Sequence, residues 1–204
     1  MAGGISMGKD WTGNTKSVYS PLGASSHVQD DRAEHDFYAT DPIAMNILLN
    51  VESFNRNVWE CAVGAGHLAR VLEENGYNVR CSDIIDRGYP NTQKIDFLRY
   101  NGRFNGDIIT NPPYKFASQF LEKAMDIIGD GNKVAMFLKL TFLEGKERKE
   151  MFKKYPPKTI YVSSSRINCA KNGNFDDSKS SAVAYAWYIW EKGFTGNPIV
   201  KWVN

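Results

Sequence analysis

Residues 58–83 read VWECAVGAGHLARVLEENGYNVRCSD, and the signals in that stretch decide the fold. VWEC has the length and apolar content of a short buried strand, and AVGAG follows it with two glycines that let backbone approach a ligand closely. HLARVLEEN carries apolar residues at helical spacing and stops at Gly76, a residue that readily closes a helix. YNVRCSD then reads as a second strand, ending on Asp83. Strand, glycine turn, helix and strand make one βαβ unit, and in open sheets built of such units ligands bind beyond the carboxyl ends of the strands. The helix starting near His67 offers unpaired N–H groups to electronegative atoms there. A GxG after a strand is weak by itself, and the position three after Gly66 is Ala69 rather than the glycine of the dinucleotide fingerprint, which tolerates alanine at that point. Asp83 adds an independent signal. It falls 17 residues after Gly66, at the end of the next strand, where an acceptor suits the hydroxyls of a ribose. Gly64, Gly66 and Asp83 together point to an adenosine-bearing ligand whose remaining part stays open.

The alternation continues on both sides of this unit. Upstream, Thr40 or Asp41 is placed to cap a helix with Pro42 in its first turn and Ile43, Ile47 and Leu48 as its apolar stripe. Downstream, IDF (95–97) reads as a short third strand, DIIT (107–110) as a fourth, KVAMFLKL (133–140) as a fifth, TIYVSSS (159–165) as a sixth and AVAYAWYIWEK (182–192) as a seventh. Helical patterns lie between them in FASQFLEKAMDII and in KERKEMFKKY, the latter closed by Pro156-Pro157. Strands alternating with helices predict an α/β fold with a mainly parallel, Rossmann-like sheet covered on both faces. Only the polar loop CAKNGNFDDSKSS separates the last two strands, so the seventh is expected to run antiparallel, in a hairpin at one end of the sheet. Residues 37–204 are read as a single domain. Residues 1–36, rich in Gly, Ser, Asp and Asn, are read as a mobile N-terminal segment and candidate lid.

Composition narrows the class. Of 204 residues 42% are hydrophobic and 24% charged, a globular balance that excludes a chain disordered throughout. Twenty-five Lys and Arg against 23 Asp and Glu give a net charge of +2, which permits a nucleic-acid partner without demanding one, because phosphate binding depends on a local patch. The basic run KLTFLEGKERKEMFKK (139–154) fits such a patch and fits equally a solvated helix face with Glu and Lys three and four apart. The three cysteines, at 61, 81 and 169, have neither metal-ligand spacing nor the even count of a disulfide framework. A reducing cytoplasm and no metal are expected. No apolar run reaches the ~18 residues of a membrane helix, so no membrane role is expected either.

Residues 107–114, DIITNPPY, end a core strand abruptly. Proline nitrogens cannot donate, so the chain at 111–113 is stiff and presents carbonyl oxygens without N–H groups of its own. The Asn111 side-chain oxygen adds a second acceptor, and Tyr114 supplies an aromatic ring. Two acceptors in fixed geometry suit an amino group on a planar ring or acyl carbon, and they orient its lone pair toward an electrophile. The pairing of ECAVGAG with NPPY resembles the S-adenosyl-L-methionine (AdoMet) dependent amino-methyltransferases that carry an (Asn/Asp)-Pro-Pro-aromatic motif, over about residues 36–204.

That resemblance implies a Rossmann-like methyltransferase fold with AdoMet as cofactor. By likeness, Glu60, Gly64 and Gly66 surround the methionine part, Asp83 holds the ribose, and Asp96 and Phe97 address the adenine ring. Tyr38, Thr40 and Pro42 stand where the family has an aromatic-Thr-Pro segment on the cofactor, although here Asp41 is interposed. Asn111 and the carbonyl of Pro112, stiffened by Pro113, would hold the target amine while Tyr114 stacks on it. GASSHVQDD, FYATDP, KLTFLEGKER, SSSRINCAKNG and AYAWYIWEKG further resemble small phage and prophage adenine-specific DNA methyltransferases, which makes adenine N6 in DNA the leading target. Arg166 and Lys171 are then candidate contacts to phosphate or to a flipped nucleotide, with ordinary surface charge the plain alternative for Lys171. RNA adenine methyltransferases share this apparatus, protein glutamine methyltransferases use NPPY on a side-chain amide, and a silent AdoMet-binding subunit would keep the fold without the chemistry. A monomer is the expected state.

Overall fold

The computed structural model describes residues 38–167, 169–171 and 183–204. After strand β1 (Tyr38–Thr40) and helix α1 (Ile43–Val51), the decisive βαβ unit forms as β2 (Asn57–Glu60), α2 (His67–Glu74) and β3 (Asn78–Asp83). Val58, Trp59 and Glu60 are buried, and α2 turns Leu68, Ala69, Val71 and Leu72 inward. β2 and β3 pair in parallel, with Val58 opposite Val79. Then follow β4 (Gln93–Lys94), β5 (Asp107–Thr110), α3 (Ala117–Ile127), β6 (Lys133–Lys139), α4 (Lys146–Lys154), β7 (Thr159–Ser163), β8 (Cys169–Lys171), β9 (Tyr185–Glu191) and β10 (Ile199–Val203).

Eight strands form one sheet in the order β10-β7-β9-β6-β5-β2-β3-β4. The mainly parallel α/β sheet expected from the sequence is present, with three differences of detail. The strand count is eight rather than seven, because β10 adds an edge strand parallel to β7. The antiparallel strand is also not at one end. β9 lies between β6 and β7 and runs antiparallel to both. The composition agrees with that place: YAWYIWE is buried at six of its seven positions, and a strand apolar on both faces belongs in the interior of a sheet covered on both sides. The third strand is also displaced. β4 precedes IDF, and Phe97–Arg99 instead form a 3-10 turn, with the Asp96 carboxylate accepting from Leu98 N at 3.1 Å.

Two further expectations shift. Thr40 is not a helix cap; it ends β1, while Asp41 Oδ1 accepts from Ile43 N at 3.0 Å and starts α1. The segment after β7 is not all loop, since Thr40, Ala39 and Tyr38 pair antiparallel with Cys169, Ala170 and Lys171 in a separate two-stranded ladder. The expected mobile segment, residues 1–36, lies outside the described residues.

Apolar layers cover both faces of the sheet. Trp59, Ile108, Phe120, Leu121, Met136, Tyr188 and Trp190 pack together on one side, and Met45, Leu48, Val58, Leu72, Ile109, Phe137, Trp187 and Ile189 on the other. At the amino end of the strands Asp107 staples the framework, accepting from Asn55 N (2.6 Å) and Lys133 N (2.7 Å). Strand positions are thereby tied together at that end.

Candidate active site at the carboxyl ends of the strands

The glycine turn leaves β2 at Glu60 and is held by the end of β3. Val63 N donates to Ser82 O (3.0 Å), and Gly64 N donates to Asp83 Oδ2 (2.9 Å). Asp83 Oδ1 accepts from Ile85 N at 3.0 Å, so this carboxylate organises two loops at once. Ala62 N donates to Glu60 Oε1 at 3.2 Å. Gly64 (φ 56°) and Gly66 (φ 81°) both adopt the left-handed conformation that glycine favours. At Gly66 the reason is doubled. A Cβ built there would fall 1.8 Å from the Tyr89 ring, which closes over the turn while its hydroxyl donates to Glu73 Oε2 at 2.8 Å.

Glu60 is 1% exposed. Burial pushes its pKa up to about 8, against the opposing pull of the Thr110 hydroxyl and the Ala62 N–H, and the Asp83 charge raises it further. The Thr110 hydroxyl lies close enough to favour the ionised carboxylate but does not reach hydrogen-bond geometry; its oxygen is buried and has no hydrogen-bond partner among the described residues. Such an oxygen commonly marks a place completed by a ligand or water. The neighbouring Cys61 thiol is also pushed up, chiefly by burial.

Because β5 runs beside β2, with Trp59 opposite Ile108, the NPPY tip of β5 adjoins the glycine turn. The four residues of β5 are all buried, and Pro112-Pro113 end the ladder where its neighbours' loops begin. Asn111 Nδ2 donates to Thr40 Oγ1 at 2.7 Å. The Tyr114 hydroxyl donates to Cys169 Sγ at 3.7 Å, its ring is 6.2 Å from that of Tyr185, and Lys139 Nζ lies 5.1 Å from its centroid. Burial, with Cys169 and Tyr185 adding, holds the Tyr114 phenol well above its ordinary pKa.

The remaining candidates divide. Asp96 caps its own turn and meets Arg99 Nε at 3.3 Å. Phe97 is 2% exposed, with its ring centroid 5.3 Å from Trp59 and 5.0 Å from Phe120. What it can offer a ligand is therefore main chain rather than a ring face. Pro42 sits at the start of α1. Tyr38 and Lys171 are paired in the β1–β8 ladder, and Arg166 is exposed between β7 and β8. Among the described residues no group of three or more His, Cys, Asp or Glu is placed to hold a metal ion, and no helix is long and apolar enough to cross a membrane.

No protein-family model matches the chain, and no curated protein matches it in sequence. Solved structures do. A predicted O-methyltransferase from Agrobacterium tumefaciens superposes with a TM-score of 0.58 at 12% identity, over 79% of this chain and 85% of that one. A protein assigned as a hemolysin from Lactococcus lactis gives 0.54 at 13% identity, over 78% and 91%. A modification subunit assigned to a type I restriction enzyme of Vibrio vulnificus gives 0.53 at 16%, over 85% of this chain and 48% of the subunit.

The fold is that of the Rossmann-like AdoMet-dependent methyltransferases.

In this methyltransferase fold the sheet's carboxyl edge carries Glu60, Gly64, Gly66, Asp83, Thr110 and Asn111 side by side. Two hollows, of about 490 and about 230 Å3, are lined by Arg103–Asn105 with Ile127–Asp130 and Lys192, and by Phe54, Arg56 and Asn75–Tyr77. Both lie at the opposite, amino edge, away from the ligand end of such sheets. Sequence reasoning missed Tyr89, Thr110, Lys139 and Cys169. Thr110, directly before NPPY on a strand bordering the glycine turn, carried a usable signal. Tyr89 and Cys169 carried none, because Tyr89 meets the site through a loop and Cys169 through a ladder with β1, and the course of both depends on tertiary packing.

Proposed function

We propose that the protein transfers a methyl group from AdoMet to an exocyclic amino group, with adenine N6 in DNA as the leading target. The observation that carries this reading is the carboxamide of Asn111, set by a proline-stiffened strand tip beside a glycine turn that two carboxyl groups clamp. The residues present fit a cationic, adenosine-bearing cofactor. The two left-handed glycines let main chain approach closely, and the Glu60 carboxyl, held protonated below about pH 8, and the buried Thr110 oxygen offer polar contacts. Glu60, Gly64 and Gly66 would hold the methionine part, Asp83 the ribose, and Asp96 with the Phe97 main chain the adenine.

Bound AdoMet supplies an electrophilic methyl on a positive sulfonium, so no covalent enzyme intermediate is required. The Asn111 oxygen and the Pro112 carbonyl accept from the target N–H groups, keep the nitrogen lone pair out of the base's ring, and hold it in line. Neither oxygen is a strong base, so the displaced proton leaves to solvent. Tyr114 stacks on the base. A duplex base cannot reach such a site unflipped, and that cost falls away on an unpaired strand. Arg166 and Lys171 are the candidate phosphate contacts. The likeness to a restriction-modification subunit lends support to a nucleic-acid target rather than a peptide one.

The test is incubation with tritiated AdoMet and, separately, DNA, RNA and glutamine-bearing peptide, followed by nucleoside or residue analysis. Label is expected in N6-methyldeoxyadenosine. Label in RNA adenine or in peptide glutamine would move the substrate class, and cofactor binding without transfer to any acceptor would leave a silent subunit. Asn111→Ala should cut transfer by about 100-fold or more while calorimetric affinity for AdoMet stays near that of the parent protein.

A further inference from the structure

The two residues proposed to touch the substrate are braced by one cross-strand pair. Thr40 and Cys169 stand directly opposite each other in the β1–β8 ladder. Thr40 Oγ1 accepts from Asn111 Nδ2 at 2.7 Å, and Cys169 Sγ accepts from the Tyr114 hydroxyl at 3.7 Å. Thr40 is 3% exposed, so water does not compete with its contact.

The polarity of this brace matters. A hydroxyl can donate or accept, so Thr40 alone would tolerate the Asn111 carboxamide in either orientation. Here the carboxamide turns its NH2 toward Thr40, whose oxygen accepts, and its oxygen away. The cross-strand neighbour of Thr40, Cys169, accepts from the Tyr114 hydroxyl. A ladder that is separate from the main sheet thus meets both side chains of the strand tip.

We propose that Thr40 and Cys169 are positioning residues for transfer, fixing the Asn111 oxygen and the Tyr114 ring in their working orientations. This rests on the amino-methyltransferase reading above and departs from the cofactor contact that the family resemblance implies for Thr40. The two roles differ kinetically. Misorienting the carboxamide lowers kcat, whereas losing a cofactor contact raises the Kd and KM for AdoMet.

The experiment compares Thr40→Val, Thr40→Ser, Cys169→Ala and Cys169→Ser in the full chain. Thr40→Val is expected to lower kcat by about 10- to 100-fold with the AdoMet Kd changed by less than about threefold. Thr40→Ser should recover most of that loss. Cys169→Ala should lower kcat in the same sense, and Cys169→Ser, which keeps an acceptor, less so. A rise in AdoMet Kd or KM at unchanged kcat in Thr40→Val overturns the proposal, as does failure of Thr40→Ser to rescue. A second measurement does not depend on turnover: the Asn111 side-chain NH2 signals, identified by their absence from Asn111→Ala, should exchange slowly with solvent in the parent protein and faster in Thr40→Val. Should the parent protein methylate nothing, the functional reading fails while this exchange still decides the brace. Rapid exchange in the parent protein overturns the brace whatever the activity.

Discussion

Glu60 is a buried acid whose proton is held by its surroundings. Its pKa of about 8 stands against a reference of 4.5, so between those values the folded chain retains a proton that the unfolded chain has lost. Stability attributable to this group is undiminished below about pH 4.5 and falls as pH rises toward about 8, by at most about 1.4 kcal/mol per pH unit. Glu60→Gln, which keeps shape and hydrogen bonding without the charge, should equal the parent protein near pH 4.5 and exceed it increasingly toward pH 8. Urea midpoints at three pH values across that window check it. Parallel pH dependence in both proteins would place the proton elsewhere. The sequence placed Glu60 at a strand end facing a ligand, but its protonation follows from how completely the folded chain buries that end, which no local pattern carries.

At the scale of the element, the glycine turn and α2 depend on a residue from the far side of β3. Gly66 needs both its left-handed φ and the space that Tyr89 fills. Gly66→Ala should cost roughly 1 kcal/mol from backbone conformation alone and more from displacing the Tyr89 ring. Combining it with Tyr89→Ala should return the steric part but not the conformational part, so the double variant is less destabilised than the sum of the singles. Thermal unfolding of the four proteins completes that cycle, and strict additivity would show that Tyr89 does not press on the turn. The turn itself was legible because glycine and helix signals are local. Its closure was not, because Tyr89 lies 23 positions after Gly66 in a segment with no regular period. IDF was misplaced for a related reason: an apolar–polar–apolar triplet fits a strand, but the Asp96 side chain captures Leu98 N and winds the chain into a turn instead.

Over the whole molecule, two tryptophans near the carboxyl terminus have opposite circumstances. Trp190 in β9 is 0% exposed, and its indole N–H donates to Tyr155 O at 3.0 Å. Trp202 on the edge strand β10 is 70% exposed. Trp190→Ala should destabilise by about 3–5 kcal/mol, and Trp202→Ala by no more than about 0.5 kcal/mol. Equilibrium urea unfolding distinguishes them; equal effects would mean that β9 is not the spine joining β6 to β7. The apolar run at 185–190 marked β9 as core, but its insertion between two parallel neighbours is a property of the assembled sheet.

What the sequence determined by itself was the set of local commitments: a βαβ unit at 58–83, a strand ended by two prolines at 107–114, and an acid at the end of the second strand. Each is decided by periodicity, glycine φ or the missing proline N–H, all of which act over a few residues. Only the tertiary structure decided which distant groups complete the site. Asn111 meets Thr40 across 71 residues and Tyr114 meets Cys169 across 55, and such contacts arise from the order and pairing of strands. The same is true of the Glu60 proton, since burial belongs to the packed whole and to no segment of it.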